Sequence, residues 1–187
     1  WGFPTLFLTA AAASALGLLA AVLIPEPLRG GTIARRRRWF ETFILPESLM
    51  PAVSMCFLGI SRGSVLAFLS LYALSMGGDP GIWFGVFALT VVAGRPIFGP
   101  LSDRKGRPFV IIPCYIIALV GNLVLVLARS PMMLLVSAAI IGFGYGSAHA
   151  ALMTMAVDLA PRALWGLSMA QYHLFYDLAI GLGGALA

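Results

Sequence analysis

The sequence predicts an all-α integral membrane protein, a polytopic bundle of about six transmembrane helices. Hydrophobic residues make up 60% of the 187 residues and charged residues only 10%, whereas soluble domains carry about 25% charged residues. The apolar residues also fall into six long runs, each near the roughly 20 residues that a helix needs to cross a bilayer. Lipid is therefore the expected solvent for most of the chain.

The six runs are separated by short polar segments rich in Gly, Pro or charge, which are typical of helix ends. Membrane-barrel strands are not expected, because the runs are far longer than such strands and show no alternation of period two. The first run has no preceding basic segment and no cleavage site, so we interpret it as a span and not as a signal peptide. The runs cover approximately residues 3–24, 49–76, 81–101, 109–128, 131–157 and 164–187, the last being truncated.

The longest break, residues 25–48, begins with Pro25 and Pro27, which end the first helix. Four arginines at 35–38 are followed by the aromatic and aliphatic residues Trp39, Phe40, Phe43 and Ile44. This pattern is typical of a basic segment lying at the lipid headgroups. Two interpretations stay open, a specific contact with anionic membrane lipid and a plain orientation signal, of which we favour the second.

Lys and Arg residues predict the orientation of the bundle. Nine of the twelve fall in the first, third and fifth breaks, one falls in the other breaks, and Arg62 and Arg95 lie within spans. Basic residues collect on cytoplasmic loops. We therefore expect a multi-pass protein of the cell inner (plasma) membrane with its odd-numbered loops in the cytoplasm. The net charge of +5 is explained by these loops and does not indicate a nucleic-acid partner.

The third break carries the most specific motif of the chain. A glycine at a tight turn lets the backbone reverse, and a glycine within a span lets helices approach closely. An aspartate at a helix end beside several cations can form ion pairs that break as helices move, which suits a gate. We expect Arg95 and Asp158 to join this network. The motif residues are Gly99, Asp103, Arg104, Gly106 and Arg107.

Residues 99–107 resemble the signature G-x-L-(A/S)-D-(R/K)-x-G-R of the major facilitator superfamily, found between helices two and three and, in weaker form, between eight and nine. The long loop one helix pair before the motif implies a partial major facilitator fold from the C-terminal half. Residues 1–24 would be helix six, 25–48 the cytoplasmic central loop, and 49–187 helices seven to eleven. Residues 156–162 and 175–183 resemble bacterial drug:proton antiporter-type efflux members. The resemblance implies the missing N-terminal half of the same transporter as a partner.

Ionisable residues inside a bilayer are costly and usually functional. Asp177 lies roughly 20 Å along the last span, with His173 four residues earlier on the same face and Tyr176 beside it. These residues are candidates for binding protons or substrate, the alternative being a structural Asp177 that holds helices together. Arg62 is the other candidate. It would bind an anionic substrate or pair with Asp177 or with a carboxylate of the missing half.

The remaining motifs exclude other functions. The glycine repeats at 59–63 and 142–146 lie within apolar spans and lack the strand and lysine of a nucleotide-binding loop. Neither a metal motif nor a nucleophile constellation appears, so no enzyme and no cofactor is expected. We predict a secondary transporter that exports small organic or amphipathic molecules by proton antiport. The alternatives are proton-coupled uptake of a sugar or organic acid, and a non-transporting membrane receptor or assembly protein.

Overall fold

The computed structural model of the chain describes residues 11, 14–15 and 44–186. Residues 11 and 14–15 are helical and belong to a different compact unit from residues 44–186. The predicted first span and the arginine run of the central loop therefore lie outside residues 44–186. No β-strand occurs within residues 44–186, in agreement with the predicted all-α fold.

Five α-helices follow one another in residues 44–186, joined by short connections. A 3₁₀ turn, Pro46–Ser48, leads directly into the first helix, and a second one, Arg162–Leu164, leads into the last. The last three residues of the predicted central loop therefore belong to the membrane-spanning segment Pro46–Ser75. The helices are α1 (Leu49–Ser75), α2 (Pro80–Lys105), α3 (Arg107–Val126), α4 (Pro131–Leu159) and α5 (Trp165–Leu186).

Four of these helices are long and apolar enough to cross a membrane: Pro46–Ser75, Pro80–Lys105, Arg107–Val126 and Pro131–Leu159. The fifth, α5, has 22 residues, or about 33 Å at 1.5 Å per residue, which suffices by length. Its Gln171, His173 and Asp177 lower its mean hydropathy. The chain is thus a multi-pass membrane protein. Of the six predicted spans, the first, at residues 3–24, is the one outside residues 44–186.

Local sequence signals set the helix starts. Asp79 precedes α2, and its carboxylate accepts a hydrogen bond from the Gly81 amide at 2.7 Å. Ser130 precedes α4 and accepts one from the Met133 amide at 3.3 Å. Each cap is followed by a proline, whose missing N–H costs nothing in the first turn. Both helices therefore begin where the sequence supplies a cap.

Helix α4 lies at the centre of the bundle and packs against all four other helices, whereas α1 packs mainly along α5. The core has two clusters. The one near the α2–α3 turn includes Met55, Val110, Ala151 and Tyr172. The one near the opposite end includes Leu69, Trp83, Phe87 and Leu134. Together they hold the helices into one bundle.

The crossing of α1 and α5 is unusually close. A Cβ on Gly63 would lie 2.8 Å from the Ile180 carbonyl carbon, and one on Gly183 would lie 2.8 Å from the Ile60 carbonyl carbon. The Ser64 hydroxyl donates to the Gly183 carbonyl at 2.9 Å across the same contact. Small residues allow such approach in membranes, so the repeat at 59–63 serves helix packing.

The second glycine repeat does the same for α4. Gly142 lies against the Phe87 carbonyl of α2, and Gly144 lies against the Ala118 amide of α3. Gly146 meets Val91, again on α2. The alternation explains how one helix packs closely on two neighbours. All three glycines of the repeat lie inside α4, within an apolar span as the sequence predicted.

Candidate functional site

The gate motif lies at one end of the bundle, where α2 ends and α3 begins. Only Gly106 separates the two helices. Its φ of +91° falls in the region that glycine tolerates and other residues disfavour, and its amide donates to the Ser102 carbonyl at 3.1 Å. This single-residue reversal places the end of α2 beside the start of α3.

Arg107, the first residue of α3, connects three helices through its guanidinium. Its Nη1 donates to Asp103 of α2 at 2.5 Å, and its Nε donates to Asp158 near the end of α4 at 2.9 Å. Nη1 also lies 3.2 Å from the Ser102 hydroxyl. Both aspartates sit near helix C-termini, where the helix dipole disfavours an anion, so the arginine offsets this cost at both ends.

These two ion pairs are weak individually. The Asp103 and Asp158 side chains are 67% and 51% exposed, while the Arg107 side chain is 23% exposed. Exposed pairs of this kind contribute about 0.2–1 kcal/mol each after solvent screening. The network can therefore fix the relative position of three helix ends and still break at little cost.

A cavity of about 420 Å³ lies next to the network, between α2 and α4. Arg95, Asp103 and Arg107 line it together with His149 and Thr154. The sequence placed Arg95 in an ion-pair network with Asp103 and Asp158, and the structure corrects this. Both ion pairs within residues 44–186 belong to Arg107, and Arg95 shares only the cavity wall.

Two further motif residues differ from expectation. Gly99 lines the cavity, and no atom of the described residues lies within 4 Å of where its Cβ would be. The expected close helix approach at Gly99 is therefore not made within residues 44–186. Arg104 is exposed and has no ion pair with a described carboxylate. Its neighbour Lys105 lies over the Phe109 ring at 4.7 Å.

An aromatic and histidine cluster connects α4 with α5 further into the bundle. The His149 ring lies 5.4 Å from the Tyr176 ring, 5.6 Å from Tyr172 and 6.5 Å from His173, measured between centroids. The Tyr172 hydroxyl donates to the His149 carbonyl at 3.1 Å, and the hydroxyls of Tyr145 and Tyr176 share a hydrogen bond. Five polar ring side chains thus form one continuous cluster.

The sequence places His173 and Asp177 on one face of α5, but their side chains do not pair in the described structure. Neither an ion pair nor a hydrogen bond joins the two side chains, and both are exposed in the described part of the chain. Spacing of four residues puts both on one face, but the His173 ring instead lies 5.5 Å from the Tyr172 ring, edge to face. His173 therefore belongs to the cluster around His149.

Arg62 occupies the middle of α1. Its guanidinium carbon lies 4.0 Å from the centre of the Phe87 ring and 5.7 Å from that of Tyr145. Its Nη1 is buried and makes no hydrogen bond. The suggested ion pair with Asp177 is not made, since neither ion pair within residues 44–186 involves Arg62.

Sequence reasoning missed one residue of importance, Tyr145, and the structural role of a second, Gln171. Tyr145 contacts Arg62, His149 and Tyr176 together, and its spacing of four residues from His149 was an available signal. Gln171 is structural. It accepts from the Leu45 amide at 2.5 Å and donates to the Leu45 carbonyl at 3.2 Å, so it anchors the start of α1 to α5.

Comparison with known proteins places these features in a family. Residues 1–184 match the Major Facilitator Superfamily. The chain is 31% identical over 178 residues to uncharacterized MFS-type transporters of Burkholderia mallei (strain SAVP1) and Burkholderia pseudomallei (strain K96243), covering 94% of this chain and 42% of each relative. An uncharacterized MFS-type transporter of Pseudomonas aeruginosa (strain LESB58) is 31% identical over 128 residues, covering 68% of this chain and 32% of that protein.

The chain therefore spans less than half the length of the relatives that it matches. The family match covers nearly every residue of the chain, including the Gly106 turn and the three helices that Arg107 connects. The all-helical membrane bundle agrees with it throughout. The chain belongs to the Major Facilitator Superfamily.

Proposed function

We propose that the chain supplies about helices six to eleven of a secondary transporter, which exports small organic or amphipathic molecules in exchange for protons. The protein would lie in the cell inner membrane and need the N-terminal half of the same transporter to complete its substrate cavity. The observation that carries the proposal is the Arg107 network, because it joins three helix ends by contacts that break at low cost. A structure that alternates between two states needs such a contact set.

The Arg107 network would act as a latch on the cytoplasmic side. With the latch closed, the ends of α2, α3 and α4 stay together beside the cavity that Arg95 and His149 line. Rocking of the two halves would release Asp103 or Asp158 from Arg107 and open this side. Asp103 can then be held by the missing half, so that each state has its own set of partners.

The cluster of His149, His173 and three tyrosines supports proton coupling. Histidine is the side chain whose charge changes most readily near neutral pH, and ionisable groups within membrane helices mark proton relays. Asp177 stays a candidate for the same role, now independently of His173. Membrane lipid would contact the exposed apolar faces of the helices.

Everted membrane vesicles containing the full-length transporter test direction and coupling. Respiration acidifies their interior, and an exporter driven by antiport should release protons when a substrate is added outside. We expect the interior pH to rise on addition of compounds from a panel of amphipathic molecules. A panel compound that instead accumulates in right-side-out vesicles under an acidic exterior would establish uptake and overturn the antiport proposal.

Proton-coupled uptake of a sugar or organic acid is the second candidate, and Arg62 favours the organic acid over the sugar. The Arg62 guanidinium is partly buried, with Nη1 enclosed, and has no counter-ion among residues 44–186, which suits the binding of a carboxylate. A sugar has no such charge and gains less from this residue.

A non-transporting receptor or assembly protein is a third candidate from another class. The variants Asp103→Asn and Arg107→Gln separate it from a transporter, with Arg129→Gln, an exposed position at the opposite end, as the matched control. A transporter should lose turnover in the two motif variants while membrane insertion stays unchanged. Full turnover in both would show that the latch assignment is wrong.

A further inference from the structure

Arg62 carries a charge that nothing in residues 44–186 neutralises. Its guanidinium forms neither an ion pair nor a hydrogen bond with another described residue, and Nη1 is buried. Arginine cannot lose its proton inside a protein, so the positive charge persists. An unpaired buried ion costs several kcal/mol. A counter-charge is therefore missing from this part of the chain.

The aromatic contacts do not fill this need. The Phe87 ring lies 4.0 Å from the guanidinium carbon and the Tyr145 ring 5.7 Å. Such cation–π contacts contribute about 0.5–2 kcal/mol, which is less than the cost of burying the charge. The two rings instead fix the position of the guanidinium, and the edge of this group carries the N–H donors that bind a carboxylate.

None of the described carboxylates supplies the counter-charge. Four of the five lie at helix ends, whereas Arg62 lies at the centre of α1. Arg107 already binds two of those four. The fifth, Asp177, lies within α5 but makes no ion pair with Arg62. The five are Glu47, Asp79, Asp103, Asp158 and Asp177.

The position of Arg62 indicates what the counter-charge is. Arg62 stands 13 residues from either end of the 27-residue helix α1, or about 20 Å from each, which is the depth at which transporters bind substrate. The hydroxyls of Tyr145 and Tyr176 lie on the neighbouring helices and share one hydrogen bond. Hydroxyls and ring faces next to a fixed cation suit a ligand with an anionic group and an apolar body.

We propose that Arg62 is the anion-recognition residue of the transported substrate, which is an organic anion carrying a carboxylate or sulfonate group. The guanidinium binds the anionic group, and the aromatic side chains of α2, α4 and α5 contact the rest of the molecule. This inference rests on the proposed transport function and fixes the charge of the substrate. It holds for export and for uptake alike.

The first test needs no substrate. The full-length transporter is purified in detergent, and the unfolding temperature is compared between wild type, Arg62→Gln and Arg62→Lys, with Arg129→Gln as the surface control. If Arg62 has no counter-ion before substrate binds, removing its charge should lower the unfolding temperature by no more than about 2 °C. A fall several times larger in Arg62→Gln, rescued in Arg62→Lys, would assign Arg62 to a carboxylate of the other half and overturn the proposal.

The second test uses paired probes of equal shape, benzoate with benzamide and naphthalene-2-sulfonate with naphthalene-2-sulfonamide. We expect at least one anion to raise the unfolding temperature of the wild type where its neutral partner does not. The concentration needed should increase at least about 30-fold in Arg62→Gln and about tenfold in Arg62→Lys. Stabilisation by neither anion, or equal stabilisation of Arg62→Gln, would overturn the proposal.

The two proposals fail separately. Probe binding is measured without a pH gradient, so Arg62-dependent binding with no proton-driven flux in vesicles would leave the anion site in place and refute proton-coupled transport. Proton-driven flux of neutral compounds that is insensitive to Arg62→Gln would support proton-coupled transport and refute the anion site.

Discussion

Replacing Gly183 by alanine should destabilise the protein although alanine is the better helix former. Gly183 lies where α5 crosses α1, and a methyl group there would stand 2.8 Å from the Ile60 carbonyl carbon. Ordinary contact begins at 3.4 Å. The Ile60 carbonyl oxygen would lie closer still. Because this obstacle is backbone and cannot rotate away, the two helices must separate by more than about 0.6 Å, a strain typical of overpacked cores.

The size of the effect follows from opposing terms. Overpacking of this kind costs about 1–3 kcal/mol, and the exchange of glycine for alanine in a helix returns up to about 1 kcal/mol. The same separation lengthens the hydrogen bond from Ser64 to Gly183, now 2.9 Å, to the limit of a useful contact. We expect a net loss of about 1–3 kcal/mol in the free energy of unfolding.

Gly181 provides the matched control two residues away. No atom of residues 44–186 lies within 4 Å of a Cβ built there, so Gly181→Ala should be neutral or stabilising. The assay is the fraction of full-length protein that remains monodisperse in detergent after heating, read by size-exclusion chromatography. If Gly183→Ala resists heating as well as Gly181→Ala does, the close crossing of α1 and α5 is refuted.

Three further predictions concern the polar contacts. Gln171→Leu should lower the free energy of unfolding by about 1–3 kcal/mol, because the Leu45 amide loses its acceptor while the Leu45 carbonyl keeps only the Ser48 amide as a donor. Thermal unfolding measures this loss, and an unchanged midpoint would contradict the anchoring role of Gln171. The free energy of unfolding should be measured with Arg107 and Asp158 neutralised singly and together. The double-mutant cycle should give a coupling energy of about 0.5–1 kcal/mol. Strictly additive effects would show that the two side chains do not form an ion pair. Asp177→Asn should change the free energy of unfolding by no more than about 0.5 kcal/mol, because the carboxylate is exposed and unpaired in the described chain. It should change only the pH dependence of flux. A loss of stability would instead favour the structural role of Asp177.

Helix positions were predictable because their causes are local. Apolar runs give the spans, and the caps at Asp79 and Ser130 with their following prolines give two of the starts. The turn at Gly106 follows from a single residue with a positive φ. Each of these signals is read within a few residues of sequence, so the described fold agrees with expectation to within a few residues.

Partners across helices were not predictable in the same way. Arg107 and Asp158 are 51 positions apart, and Leu45 and Gln171 are 126 apart, so these contacts depend on which helices become neighbours. Spacing within one helix was also insufficient. His173 and Asp177 share a face, yet the His173 ring lies beside the rings of His149 and Tyr172 and forms no ion pair with the carboxylate in the described chain. The spacing of residues along a helix shows which of them share a face, but it does not show which other helices pack against that face.

The contrast between the interior of the bundle and its motif end bears on how such a half can move. Backbone contacts at Gly63 and Gly183, and those of Gly142 and Gly144, leave α1, α4 and their neighbours no room to slide, because dense packing is costly to disturb. At the motif end the exposed pairs of Arg107 contribute about 0.2–1 kcal/mol each. A conformational change breaks the contacts whose loss costs the least free energy. Rocking of the half as one body, with rearrangement confined to the Arg107 network, therefore costs less than any motion of one of these helices within the bundle.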